Sequence, residues 1–279
     1  MDFEAFLKEA APLLDLQWRR FKRGGIRRKI ERRMAHLGFS PYQDYLTRIK
    51  TDSEERNRLS QILTVTVTRF FRDRKVFDLL ESSILPSMID DKIAGDLKIW
   101  SIGCAGGEEP YSLFMLWKER FEKEFPRTRF SVLATDVDES LFARARKGRY
   151  KKSSLREVPE EILRRFFESD DGFYILDRSV REGVAFEKHD ITREEPFPGI
   201  DMILCRNSVF TYYSKECQIR VLRKITSGLK EKGSLIIGRD EFLPLTYPTL
   251  FVPVFPAEKI YQKFSPLASP LSSPVKVEG

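Results

Sequence analysis

A glycine-rich turn joins an apolar stretch to a helix start in the segment Ile99-Trp-Ser-Ile-Gly-Cys-Ala-Gly-Gly-Glu-Glu-Pro-Tyr-Ser112. Gly103, Gly106 and Gly107 would let the backbone come close to a ligand, and Pro110 suits the first turn of a helix. Strand, glycine turn and helix in this order are typical of the ligand-binding edge of an open α/β sheet. The segment therefore predicts a doubly wound sheet with a ligand at the turn.

Two acids at the helix start indicate the charge of that ligand. A dinucleotide loop has the spacing G-x-G-x-x-G and places pyrophosphate at the helix N-terminus, whereas here Glu108 and Glu109 occupy that position. Carboxylates repel phosphate and suit a cation, and S-adenosylmethionine carries a sulfonium and an ammonium group. A plain turn capped by acids is the alternative, because acids are favoured at helix N-termini.

Further polar residues follow two later strands. Asp136 comes after the strand-like stretch 130–134, and an acid at this distance beyond a glycine turn can bind a pair of ribose hydroxyls. Arg206 and Asn207 end the apolar stretch that starts at Asp201. Strands of an open α/β sheet bind ligands at their carboxyl ends, so we expect these side chains at one site. A helix cap for Asp136 and a solvated loop for the other two are the alternatives.

The chain around these strands divides into three parts. Residues 1–88 have apolar residues at helical spacing, which predicts a helical N-terminal domain with a linker helix. Residues 89–264 alternate short apolar strands with helices, which predicts a mostly parallel sheet, and residues 148–183 interrupt it as an inserted segment of helix and strand. Residues 265–279 are rich in Pro and Ser and are predicted to be a disordered tail.

The composition limits the classes of protein. The chain has 279 residues, of which 41% are hydrophobic, and its formal net charge of +7 favours an acidic partner. Cys104, Cys205 and Cys217 are too scattered for a disulfide framework, and we predict no metal site. His36 and His189 are isolated and are predicted to be structural or exposed. With no signal peptide and no apolar run long enough to span a bilayer, we expect a cytoplasmic protein.

A basic stretch stands out near the N-terminus: Arg19 to Arg33 holds nine basic residues and one acid, Glu31. If the stretch is helical, four apolar residues form a buried face, namely Ile26, Ile30, Met34 and Leu37. Three cations then lie on the opposite, exposed face, namely Arg28, Lys29 and Arg32. Their function would be an electrostatic dock for a glutamate-rich helix. A solvated charged face and a nucleic-acid surface are the alternatives.

Several motifs occur in the order found in the chemotaxis receptor methyltransferase family, CheR, which the chain therefore resembles. They are Thr68-Arg-Phe-Phe-Arg-Asp73, Gly103-Cys-Ala-Gly-Gly-Glu-Glu-Pro-Tyr-Ser112, Ala134-Thr-Asp-Val-Asp138, Cys205-Arg-Asn207, and additionally Gly148-Arg-Tyr150 and Gly238-Arg-Asp-Glu241. The resemblance covers roughly residues 3–264. It implies a Rossmann-like S-adenosylmethionine-dependent methyltransferase sheet, a small helical N-terminal domain and an inserted β-subdomain.

The resemblance also implies the residues that contact the cofactor. They are Thr66, Thr68, Arg72, Gly103, Glu108, Glu109, Asp136, Asp190, Ile191, Arg206 and Asn207. Thr68 and Arg72 are expected to close the site from the N-terminal side. Asp136 is expected to hold the ribose, and Asp190 with Ile191 to flank the adenine.

The remaining roles concern the reacting end of the cofactor. Glu108 or Glu109 is expected near the methionine moiety, and Arg206 and Asn207 next to the methyl group. The family often has Asn where this chain has Thr66, and the segment after Cys-Arg-Asn is one residue longer here. The resemblance therefore implies Tyr212 as the active-site tyrosine, with Tyr213 as the alternative. Arg206 and Tyr212 are the expected catalytic residues.

The function implied is methyl transfer to glutamate side chains on the cytoplasmic helical region of a chemoreceptor, with S-adenosylhomocysteine as the product. We expect a monomer that does not bind nucleic acid or insert into membranes. Another acidic protein is an alternative acceptor, and a non-catalytic S-adenosylmethionine-binding module is an alternative function. A nucleic-acid methyltransferase is a further rival, but its Asn/Asp-Pro-Pro-aromatic turn and Pro-Cys nucleophile are absent from the sequence.

Overall fold

The computed structural model of the chain describes residues 1–21, 24–63, 68–90, 95–244 and 247–264. Thr66 and the predicted tail, residues 265–279, lie outside these ranges. Within the ranges, no helix is both long enough and apolar enough to cross a bilayer.

Most of the strands belong to one sheet. The described strands are β1 Asp96–Ile102, β2 Arg129–Asp136, β3 Arg149–Lys151, β4 Phe167–Asp170, β5 Phe173–Leu176, β6 Val184–Lys188, β7 Ile200–Cys205, β8 Leu229–Ile237, β9 Phe251–Phe255 and β10 Ile260–Lys263. The main sheet has the order β6-β2-β1-β7-β8-β10-β9. Its first five strands pair in parallel, and β10 runs antiparallel between β8 and β9. The predicted Rossmann-like, mostly parallel α/β sheet is confirmed.

Helices cover both faces of this sheet. The described helices are α1 Phe3–Ala10, α2 Gly24–His36, α3 Tyr42–Thr51, α4 Ser53–Leu63, α5 Arg74–Leu79, α6 Leu85–Asp90, α7 Glu108–Arg120, α8 Ser140–Lys147, α9 Glu160–Phe166, α10 Arg178–Arg181, α11 Val209–Tyr212 and α12 Lys215–Gly228. Successive strand residues point to opposite faces: Ile99 of β1 packs in one core cluster with α7, and Trp100 packs in a second cluster with α12. Because both faces are covered, β7 is buried along its whole length.

The N-terminal helices form a third core cluster of their own. Ile26, Ile30 and Met34 are buried in it, as the helical spacing predicts. The prediction for Leu37 is wrong, because α2 ends at His36 and Leu37 lies in the following turn with 37% of its surface exposed.

The predicted linker helix is α5 continued through a π-helical turn, Leu80–Ile84, into α6. Its buried side chains, among them Phe77 and Leu80, belong to the core cluster of the sheet and not to that of the N-terminal helices. The domain boundary at residue 88 stays a prediction, but the linker helix packs as part of the sheet unit.

The inserted segment is an antiparallel sheet of three strands in the order β3-β5-β4, which confirms the inserted β-subdomain. The sequence predicts one strand, 173–176, after a turn at 169–172. Ser169 and Asp170 instead pair with Tyr174 and Phe173 as part of β4. Strand β4 was not predicted, because only Phe167 in it is buried and its residues therefore do not alternate between apolar and polar.

Candidate active site

A cleft that is open to solvent lies at the carboxyl-terminal edge of the parallel strands. Its lining residues are Ile102, Gly103, Ala105, Asp136, Val137, His189, Ile191, Thr192, Asn207, Ser208, Val209, Tyr212 and Tyr213. They follow β1, β2, β6 and β7, so the cleft lies where open α/β sheets bind ligands.

The glycine turn after β1 forms one wall of the cleft. Gly103 has a φ of +74°, and its N–H and that of Cys104 both donate to the carbonyl oxygen of Thr135, at 2.8 and 3.0 Å. A Cβ atom at Gly103 would stand 2.9 Å from the Cβ of Ser208. Glycine is therefore required here both by the backbone conformation and by the close approach of the β7 loop.

Asp136 at the end of β2 lies at the centre of this wall. Its Oδ2 accepts a hydrogen bond from the N–H of Ala105 at 2.9 Å, and its Oδ1 accepts one from the N–H of Asp138 at 3.0 Å. Burial raises the pKa of Asp136, while these backbone donors oppose the rise. A carboxylate offers about four lone-pair sites, so Asp136 can accept from a ligand hydroxyl as well.

Glu108 and Glu109 turn away from the cleft lining. Glu108 is fully buried, and its Oε1 accepts a hydrogen bond from Arg144 Nη2 at 2.8 Å. Burial raises the pKa of Glu108 to about 7, although the Arg144 charge opposes the rise. Glu109 accepts hydrogen bonds from the hydroxyl of Ser101 at 2.8 Å and from Arg206 Nη1 at 2.9 Å.

Arg206 joins three elements behind the cleft. Its Nη1 donates to Glu109 at the start of α7, and its Nη2 donates to Asp73 Oδ2 at 2.6 Å and to the carbonyl oxygen of Arg72 at 2.9 Å. Only 2% of the side chain is exposed. The guanidinium therefore fastens the loop before α5 to the ends of β7 and the glycine turn.

The loop 68–73 is held against the start of α7 by backbone contacts as well. The N–H of Phe71 donates to the hydroxyl of Ser112 at 2.9 Å, and that hydroxyl donates to the carbonyl oxygen of Glu108 at 2.6 Å. Phe71 and Asp73 both have positive φ, at 52° and 61°. Backbone strain of this kind collects at functional sites.

The N-terminal helical unit reaches the opposite wall of the cleft. The backbone N–H of Gln17 donates to the carbonyl oxygen of Tyr212 at 2.8 Å, and that of Ser214 donates to the carbonyl oxygen of Asp15 at 2.6 Å. Burial raises the pKa of Tyr213, whose hydroxyl shares a hydrogen bond with Ser60 of α4. The two tyrosines thus lie where the helical unit and the sheet meet.

Family models match nearly the whole chain. The model described as CheR methyltransferase, all-alpha domain, matches residues 1–64, and the model described as CheR methyltransferase, SAM binding domain, matches residues 66–258. The chain belongs to the CheR methyltransferase family. Its sheet is the S-adenosylmethionine-binding domain of that family, which confirms the predicted cofactor.

Individual relatives of this CheR-family chain differ in length. An uncharacterized 104.1 kDa protein of Rhodobacter capsulatus is 31% identical over 253 residues, which are 90% of this chain and 26% of that protein. A chemotaxis protein methyltransferase of Listeria monocytogenes is 30% identical over 241 residues, 86% of this chain and 89% of the relative. A solved S-adenosylmethionine-dependent methyltransferase of Methanosarcina mazei is 14% identical with a TM-score of 0.32, covering 55% of this chain and 58% of its own.

The structure brings part of the CheR-derived site residues together. Those in the cleft lining are Gly103, Asp136, Ile191, Asn207 and Tyr212. Those outside the lining are Thr68, Arg72, Glu108, Glu109, Asp190 and Arg206, and Thr66 lies outside the described residues. Asp190 neighbours the cleft through Ile191, with its Oδ1 accepting from the N–H of Thr192 at 3.0 Å and from the Thr192 hydroxyl at 2.6 Å.

Three of the residues outside the lining, namely Glu108, Glu109 and Arg206, share one physical reason for their position. Arg206 forms an ion pair with Glu109, and Arg144 forms one with Glu108, so these charges already have partners within the protein. The direct contacts expected of them stay predictions. The predicted docking residues Arg28, Lys29 and Arg32 are exposed on α2.

His189 was missed as a cleft residue by sequence reasoning. It is 6% exposed and lines the cleft directly before Asp190. Its Nε2 is 2.9 Å from the carbonyl oxygen of Glu195, which can only accept, so Nε2 is the donor. The sequence contained one signal for this place, because His189 directly precedes Asp190 and Ile191, which are expected at the adenine. His189 was nevertheless predicted to be structural or exposed, because no second histidine is near it in the sequence.

Proposed function

We propose that this CheR-family chain transfers the methyl group of S-adenosylmethionine to glutamate side-chain carboxylates of a chemoreceptor. The observation that carries the proposal is the match of both family domains in order, together with the Listeria chemotaxis protein methyltransferase that the chain covers to 89%. The acidic acceptor also fits the net charge of +7.

The chemistry of the cleft supports cofactor binding at its β1–β2 side. Ile102, Val137 and Ile191 offer an apolar surface for the adenine ring, and Asp136 offers acceptor lone pairs for the ribose hydroxyls. Bound there, S-adenosylmethionine supplies a methyl group activated by its sulfonium charge. We assign Arg206 an indirect part: it holds the loop 68–73 over the glycine turn.

The acceptor needs no general base. A glutamate carboxylate, with an ordinary pKa of about 4.3, is already ionised at neutral pH. Attack on the methyl group joins a negative acceptor to a positive donor, so charge disappears as the bond forms. The residues of the cleft therefore have to align the two groups and exclude water. Asn207 and Tyr212, on the β7 side of the cleft, are the proposed positioning groups.

The exposed cations of α2 are the proposed dock for the acceptor helix. Arg28, Lys29 and Arg32 are exposed, and no ion pair links them to a residue within the described ranges. In contrast, Arg27 pairs with Glu31, and Arg33 pairs with Glu55. Unpaired charges of one sign on one helix face attract a partner of opposite charge and speed its association.

The distribution of a labelled methyl group between membrane protein and RNA tests which class of acceptor is methylated. The protein is incubated with methyl-labelled S-adenosylmethionine and membranes or RNA of the host, and with the Asp136→Ala variant as a control for cofactor-dependent transfer. We expect label in membrane protein that is released as methanol at alkaline pH, which marks a carboxyl ester. Alkali-stable label in RNA, or cofactor binding with no transfer to any fraction, would contradict the proposal.

A further inference from the structure

The carboxylate of Glu241 lies behind the Asn207–Tyr212 wall of the cleft. Glu241 follows β8, is 3% exposed, and its Oε2 accepts hydrogen bonds from the N–H of Asn207 at 2.9 Å and from the N–H of Gly238 at 2.5 Å. Its Oε1 accepts a hydrogen bond from the hydroxyl of Thr211. One side chain from the segment after the last parallel strand thus ties together two separate parts of the β7 loop.

Both parts need such support. Asn207 has a φ of 55°, a left-handed conformation that is uncommon outside glycine and in which its N–H requires a partner. Thr211 belongs to α11, which is four residues long and has no side-chain cap at its N-terminus. A helix of this length is not stable by itself. Tyr212, the next residue, is therefore held in place from outside the helix.

The packing around the carboxylate leaves little freedom. A Cβ atom at Gly238 would stand 2.6 Å from Asn207 Nδ2 and 2.7 Å from Glu241 Oε2. The Asn207 amide, the Glu241 carboxylate and the β8 backbone are thus in close contact. A shift of the carboxylate would move Asn207 with it.

A buried carboxylate is not a device for stability, because removing an ion from water costs several kcal/mol. Burial indeed raises the pKa of Glu241, although three donors and the Arg206 charge oppose the rise. An apolar residue would avoid the cost of burying a charge, but it would leave the donors of Asn207, Gly238 and Thr211 without an acceptor. The carboxylate therefore serves to hold these three donors in a fixed geometry.

We infer that Glu241 is a positioning residue for methyl transfer: it sets Asn207 and Tyr212 at the distance and angle that the incoming acceptor requires. The inference rests on the proposed function for the nature of the acceptor. Glu241 lies behind the cleft wall and does not contact the reacting groups. Asp136, which we assign to the ribose, lies on the other side of the cleft and is not touched by this network.

Substitutions separate positioning from support of the fold. Glu241→Ala should lower kcat about a hundredfold, the loss expected for a misplacement of about 1 Å, with S-adenosylmethionine affinity within a few-fold of the wild type. Glu241→Gln should restore most of the rate, because its amide oxygen can accept the two N–H groups while its amide nitrogen donates to the Thr211 hydroxyl. Asp240→Ala removes the neighbouring, exposed acid and is the matched control. Thr211→Val removes one hydrogen bond and serves if Glu241→Ala does not fold.

Hydrogen exchange provides a readout that needs no acceptor. Glu241→Ala should raise amide exchange in residues 207–213 and leave β1 and β2 protected. If the wild type does not methylate glutamate, the proposed function fails, while the exchange experiment still tests the placement of Asn207. Wild-type kcat in Glu241→Ala and Thr211→Val, or unchanged exchange of residues 207–213, would overturn the inference.

Discussion

Asp73 and Arg206 are 133 residues apart in the chain, and 2.6 Å separates Asp73 Oδ2 from Arg206 Nη2. The same guanidinium contacts Glu109, so two carboxylates from different elements share one buried cation. The ion pair binds the loop that precedes the sheet to the end of β7. It connects the motif Thr68–Asp73 with the motif Cys205–Asn207.

Arg206→Met should destabilise the protein and slow methyl transfer. The change leaves Asp73 and Glu109 without their common cation, and removing one partner of a buried pair costs about 3–5 kcal/mol. Urea denaturation should show this loss, and the rate should fall because the 68–73 loop is released. Arg223→Met, at an exposed position of α12, is the control and should change neither. A stable, fully active Arg206→Met protein would show that the ion pair is dispensable.

Asp136→Ala should weaken S-adenosylmethionine binding at least tenfold in calorimetry. Hydrogen bonds to a charged group contribute about 1.5–3 kcal/mol each, and this carboxylate also orders the turn through the N–H of Ala105. Glu187→Ala, an exposed acid on the neighbouring strand, should bind as tightly as the wild type. Equal affinity in the two variants would mean that the ribose is held elsewhere.

Glu108 should make stability depend on pH. Its folded-state pKa, about 7, lies above the ordinary value of 4.5, so the folded protein binds the proton more tightly than the unfolded chain. The resulting stability is fully present below pH 4.5 and is lost as the pH rises through 7. At 1.36 kcal/mol per pKa unit, the loss is at most about 3 kcal/mol.

The Glu108→Gln variant isolates this effect. Urea denaturation between pH 5 and 8.5 should show the variant gaining on the wild type as the pH rises, because an amide has no proton to lose. Glu124→Gln, at an exposed position after α7, should follow the wild type throughout. A constant difference between wild type and Glu108→Gln across the range would mean that Arg144 keeps Glu108 ionised.

The basic face of α2 should govern association with the receptor. Each exposed ion pair contributes only about 0–1 kcal/mol, so we change Arg28, Lys29 and Arg32 together to Glu. Receptor methylation should slow, most strongly at low salt, while S-adenosylmethionine affinity stays the same. The control is the same change to Glu at three other exposed cations, near the start of β1 and β2: Lys98, Lys123 and Arg127.

Wild-type methylation by the α2 triple variant would refute the dock. Loss of tight, salt-sensitive RNA binding in that variant would favour the nucleic-acid alternative instead.

The sheet was predictable from the sequence because its strands are buried on one or both faces. Apolar runs such as Met202 to Cys205 and the glycine turn at Gly103 carry their own signals, since burial and positive φ restrict residue choice. The strand β4 carries none, because its exposed residues obey no alternation. Leu37 shows a related limit: periodicity does not reveal that a helix ends one residue earlier.

The site was predictable in outline but not in its pairings. Sequence order placed Asp136 and Asn207 at strand ends, where the fold brings them together. Sequence order could not show that Arg206 forms ion pairs with Asp73 and Glu109, because those contacts join elements far apart in the chain. The hydrogen bonds of Glu241 to Asn207 and Thr211 could not be predicted for the same reason.

The most direct test is to locate the transferred methyl group. The protein is incubated with S-adenosylmethionine that carries a deuterated methyl group and with receptor-containing membranes, and the receptor is analysed by peptide mass spectrometry. We predict a deuterated methyl ester on glutamate side chains of the cytoplasmic helical region, absent with Asp136→Ala. A deuterated methyl group found only on nitrogen, on other side chains or on nucleic acid would contradict the account.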